Sequence, residues 1–230
     1  MTNTMNPFLT EYHTPYHTTP FHLIRMEHYE PAMLQGMEEQ NKEIEAIIQN
    51  PDEPSFSNTI VALEKSGELL NRVSTVFSNL HSAETNDEMD ALAEKIMPML
   101  TEHSNNITLN AQLFNRVKAV YDKKDHLSLN GEEYMLLENT YQSFIRSGAN
   151  LCEKDKDEFK KISADLSLNI LKYSQNLLKE TNAYEPLDLT ASYNLAGYNY
   201  TLRDLGDGFA MFDGAINVLG YVMEDYMVLA

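Results

Sequence analysis

The stretch SFSNTIVALEKSGELLNRVSTVFSNL, residues 55–80, carries Ile60, Leu63, Leu70, Val73, Phe77 and Leu80 at intervals of three, four and seven. Such spacing brings the side chains onto one face of a helix, whereas a half-buried strand alternates every second residue. One apolar seam along a single helix is therefore expected here. Upstream, Pro51 and Pro54 in NPDEPSFSN refuse helix, and Ser57 or Asn58 stands where a cap is needed.

The same grammar extends in both directions. Before this stretch a helix is expected to open with Pro31 near its first position and to carry Met33, Met37, Ile44, Ile47 and Ile48. After it, ETND offers Thr85 or Asn86 as a cap, with Asp87 and Glu88 at the positive end of the dipole. That third helix carries Leu92, Ile96, Met99 and Leu100, and Pro98 inside it predicts a kink. A short fourth places Leu113, Phe114, Val117, Val120 and Tyr121 together. A fifth, opened by Glu132 and Glu133 as dipole partners, carries Tyr134, Leu137, Tyr141, Phe144 and Ile145 and closes at Gly148, which suits a left-handed cap. The sixth, about Lys154 to Thr181, carries Phe159, Ile162, Leu166, Ile170, Tyr173 and Leu177. The Met, Tyr and Phe positions on these seams read as core.

The fold class expected is mainly α. About six helices, over residues 1–185, stack as antiparallel hairpins or a bundle sharing one core. Composition then changes. Residues 186–230 contain no Lys and only Arg203 among the bases, yet hold five of nine glycines and five of thirteen tyrosines. Short apolar runs there, separated by GDG and by Asp213-Gly214, predict a small β element with a hairpin turn at Asp213-Gly214.

The chain has 230 residues, enough for one large domain or two small ones without disulfide or metal. Its 35 acids outnumber its 17 bases for a net charge of -18, a field that repels phosphate backbones and anionic lipid. Neither nucleic acid nor membrane is an expected partner. No basic n-region opens the chain, no run of about 18 apolar residues occurs, and Cys152 is the one cysteine, read as a structural thiol. A cytoplasmic protein is expected.

Histidines are dense near the start, at His13, His17, His22 and His28. HTPYH, residues 13–17, has the four-residue spacing with which two histidines on a helix can share a zinc ion. Pro15 lies between them, however, and Thr14 stands where H-E-x-x-H keeps its general base. No metal site is expected there, only an irregular arm draped over the helices. His81, His103 and His126 stand apart, each expected to meet carbonyls near a helix end. No catalytic, cofactor-binding or metal-binding residue is assigned.

Taken in order, NPFL, TTPFHLIRMEHYEPAM, SFSNTIVALEKSGELLNRV, EKIMPMLTEHSNNITLNAQLFNRVKAVYD, EEYMLLENTYQSFIRSGANL and DKDEFKKISADLSLNILKYSQNLLKETNAYE resemble the amino-terminal helical region of bacterial peptidyl-dipeptidases. These belong to the thimet oligopeptidase and oligopeptidase A group of zinc metallopeptidases. The resemblance covers residues 6–185, and LDLTASYNLAG, 187–197, continues it weakly. It implies the wall of a deep channel that admits oligopeptides and releases a dipeptide from the carboxyl end. Zinc, held by H-E-x-x-H and a distal glutamate in that family, has no ligands in this chain, which is expected to be a truncated form inactive alone. Faces that would pack on the missing part are expected to be exposed. A stand-alone helical module binding peptides or a partner protein is the alternative, and a bundle completing a separately encoded catalytic fragment is a third.

Overall fold

The computed structural model describes residues 6–183, together with the strand backbone of β1 (Ser192–Leu195), β2 (Tyr198–Gly206), β3 (Phe209–Asp213) and β4 (Met227–Val228). Two compact units are distinguished, residues 1–176 and 177–230.

The helices are α1 (Met26–Ile48), α2 (Ala62–Glu64), α3 (Glu68–Ala83), α4 (Asp87–Thr108), α5 (Ala111–Tyr121), α6 (Gly131–Arg146) and α7 (Glu153–Asn182). Six of these are long, as the periodicity predicts. Among the described residues none is long and apolar enough to cross a membrane.

The deciding stretch differs from expectation in one respect. Its seam is not carried by one helix: a six-residue π-helical segment, Phe56–Val61, runs into α2, and the chain breaks at Gly67, φ 73°, before α3. The cap also lies earlier than expected. Ser55 Oγ accepts the Asn58 amide while Asn58 Oδ1 accepts the Ser55 amide, a reciprocal capping box. The proline-rich linker before it is fastened from α5, where Arg116 donates to the carbonyls of Asn50 (2.9 Å) and Asp52 (3.3 Å).

α1 starts at Met26, five residues before Pro31, because His28 and Arg25 provide the opening turn. α4 continues through Pro98 as one helix, capped by Asn86. α6 begins with a capping box between Asn130 and Glu133. It ends with Gly148 at φ 84°, where the Gly148 amide reaches the Ile145 carbonyl and the Ala149 amide that of Phe144. That pair of bonds is a Schellman motif, which needs a residue at ease in the left-handed region.

Two apolar clusters replace the single core expected. The first gathers Phe8, Met33, Val73, Phe77 and Ile96, among others. The second gathers Ile47, Ile60, Leu113, Val117 and Leu137. α1, about 35 Å long at 1.5 Å per residue, contributes Met33 to one and Ile44 and Ile47 to the other. It packs on α3, α4 and α5 and so acts as the spine of this unit. The N-terminal arm is irregular, with three short 3-10 turns, Pro7–Leu9, Pro15–His17 and Phe21–Leu23. Phe8 plugs the first cluster at 0% exposure beside Tyr29, and its carbonyl accepts from Arg72 Nη2 at 2.8 Å.

α7 departs furthest from its sequence reading. Its apolar stripe is exposed, and only Lys156 and Leu171 are buried. Lys156 Nζ donates to the Leu109 carbonyl (3.2 Å) and to Glu153 (3.0 Å), which ties the start of α7 to the turn between α4 and α5.

In the second unit the strands pair antiparallel in the order β1-β2-β3-β4. The expected turn at Asp213-Gly214 falls where β3 ends, and residues 214–226 lie outside the described residues.

Candidate functional site

The N-terminal histidines do not assemble. His13, His17 and His22 are exposed. His17 Nδ1 lies 2.9 Å from the Tyr12 carbonyl, and Tyr16 and His17 have φ of 60° and 54°, outside the right-handed helix on which residues four apart would meet. His28 is buried in the first turn of α1, where Nδ1 accepts the Arg25 amide at 3.0 Å. Among the described residues no group of three or more His, Cys, Asp and Glu side chains is gathered to hold a metal ion.

His81 and His103 bond side chains rather than the carbonyls expected. His81 Nε2 is 2.8 Å from Asp90 Oδ1, which also accepts from Thr85 Oγ1, so this trio joins the end of α3 to the start of α4. His126 is exposed in a short turn, and Cys152 is exposed.

The better-formed polar site is a groove of about 850 Å³ where α1, the turn before α3, and α4 meet. Gln40, Ser66, Asn71, Ser74, His103 and Ser104 contribute its polar lining. His103 Nε2 lies 2.7 Å from Gln40 Oε1, Gln40 Nε2 donates to Ser66 Oγ at 3.4 Å, and Ser66 Oγ donates to the Leu63 carbonyl at 2.8 Å. Because an amide oxygen only accepts, His103 carries its proton on Nε2. Burial holds the imidazole pKa below its ordinary value, so His103 is neutral at pH 7.

This chain of bonds stitches elements together more than it activates anything. Ser66 gives its proton to a backbone carbonyl, not to a histidine, so the pairing of nucleophile with base is not made here. What the groove offers is a mixture of hydrogen-bond donors and acceptors.

Gln40 and His103 were overlooked as partners, though each leaves a trace in the sequence. Gln40 occupies the stripe position between Met37 and Ile44, and His103 the one between Leu100 and Ile107. A polar residue in the middle of an apolar stripe needs a buried partner, but nothing in a single sequence says which residue 63 positions away supplies it.

No family model matches the chain. Among curated proteins it is 42% identical over 175 residues to the dipeptidyl carboxypeptidase of Escherichia coli (strain K12), covering 76% of this chain and 26% of that protein. The dipeptidyl carboxypeptidase of Salmonella typhimurium is 39% identical over 178 residues, 77% of this chain and 26% of that one. Oligopeptidase A of Salmonella typhimurium is 26% identical over 192 residues, 84% of this chain and 28% of its own length. The chain thus spans about a quarter of the length of the curated relatives it matches. By sequence, the matched three-quarters of the chain is similar to about a quarter of the dipeptidyl carboxypeptidases, and less similar to oligopeptidase A.

Proposed function

We propose that this chain is a helical, channel-wall part of a zinc peptidase that hydrolyses oligopeptides with release of C-terminal dipeptides, and that it has no peptidase activity alone. The observation that carries this reading is the 42% identity with a dipeptidyl carboxypeptidase over 175 residues, only 26% of that protein's length. A zinc ion does not fit the described histidines. Among the described residues no three His, Cys, Asp or Glu side chains meet to hold one. No step is therefore derived through a metal in this chain. A cytoplasmic, reducing setting goes with the exposed lone Cys152, and the net charge of -18 speaks against nucleic acid and anionic membranes as partners.

The test is direct. The purified 230-residue chain, given a blocked oligopeptide with and without a chelator, is expected to release no dipeptide and to contain no stoichiometric zinc. Chelator-sensitive release of a dipeptide would overturn the claim of inactivity. The groove around His103 favours a second reading, a stand-alone peptide-binding module. Saturable binding of the same blocked peptide, lost in Gln40→Ala, would support it.

A further inference from the structure

α7 rests on the bundle by its weaker side. Lys156 and Leu171 are buried there, and the half-buried Ser163, Ala164, Ser167 and Leu168 share that side. The strong apolar stripe faces elsewhere: Ile162, Leu166, Ile170, Tyr173 and Leu177 are 58%, 55%, 57%, 69% and 56% exposed. At 100° per residue, its centre stands roughly 120° around the helix from the packed side. A contiguous row of large apolar side chains in water marks a surface made for a partner.

Two properties of the stripe select among partners. Phe159, Ile162 and Leu166 recur eleven residues on as Ile170, Tyr173 and Leu177. A repeat of eleven, about 3.67 residues per turn, drifts right-handed along the helix, whereas the seven-residue repeat of common coiled-coil dimers winds left-handed. The row is thus not the seam of such a dimer. From Phe159 to Asn182 the helix also carries four lysines against two acids, in a chain of net charge -18. Two copies of so acidic a chain repel each other, while a locally basic strip suits an acidic rim.

The size of the relatives supplies the occupant. The chain spans about a quarter of a dipeptidyl carboxypeptidase, so about three-quarters of such a protein has no counterpart in the match. We propose that the exposed α7 stripe is the docking face for that remaining three-quarters, which meets it with an apolar groove rimmed by acidic side chains. This rests on the functional reading above.

Two arms test it. In the first, the intact 230-residue chain is compared with Leu166→Asp/Ile170→Asp by sedimentation and thermal melting. Both are expected to be monomers, with Tm within about 2 °C of each other, because the stripe is already in water. A dimer dissolved by the variant would overturn the proposal in favour of a second copy. A Tm drop above about 5 °C would overturn it in favour of cover from the chain's own residues. In the second arm, the matched segment of the Escherichia coli dipeptidyl carboxypeptidase is replaced by residues 6–183 of this chain. The same double substitution is expected to lower the Tm of this chimera by more than about 5 °C, and an unchanged Tm would overturn the docking face. A chimera that does not fold also overturns it, since the faces then do not match. A folded chimera that releases no dipeptide refutes the functional reading instead, while its Tm still reports on the stripe.

Discussion

His103 is the residue whose charge state the fold controls. It is buried, it bonds Gln40 in its neutral form, and burial lowers its pKa. The unfolded chain, with an ordinary histidine pKa of about 6.5, takes up the proton first as pH falls. The contribution of His103 to stability is therefore complete above about pH 6.5 and is lost as pH drops from there toward the lower folded value. Urea unfolding of the native chain and of His103→Gln across pH 5 to 8 checks this. The native chain is expected to lose more stability than the variant between about pH 6.5 and 5. Parallel curves would show that protonating His103 costs the folded state nothing.

At the scale of elements, the contact between α1 and α3 depends on the absence of one side chain. A Cβ at Gly36 would stand 2.8 Å from both the Cα and the N of Leu70. Those are backbone atoms that cannot rotate away, so Gly36→Ala forces the two helices apart. A loss of about 1–3 kcal/mol is expected, measured as a lower urea midpoint with an unchanged slope. An equal or higher midpoint would mean that the helices slide without cost. Caps and periodicity were legible in the sequence where local chemistry is self-contained, as at Asn86 and at Gly148. They misled where the cap is unusual, as with His28 opening α1, or where a break intervenes within one phase of the seam, as at Gly67. The α7 stripe illustrates a deeper limit: spacing reveals that a helix has an apolar face, and only tertiary contacts reveal whether anything covers it. The polar site was the least legible, because Gln40 and His103 are joined by folding and not by sequence proximity.

For the whole molecule, the dominant long-range term is the net charge of -18. Like charges crowded on a compact surface repel, and unfolding relieves that repulsion. Salt acts on it strongly, since the screening length shrinks from about 30 Å at 0.01 M to about 8 Å at 0.15 M. Attractive pairs oppose the effect only weakly. Lys42 with Glu38 and Lys118 with Asp122 are exposed neighbours on single helices, a class of pair that contributes little. Burial of the two apolar clusters, moreover, does not depend on ionic strength in this range. The balance therefore predicts that Tm rises by several degrees between about 10 and 150 mM NaCl and levels off once the screening length is smaller than the spacing between surface charges. Calorimetric scans at fixed pH over that series measure it. A Tm that falls with salt would show that the acids are arranged around the few bases in networks whose attraction exceeds the net repulsion.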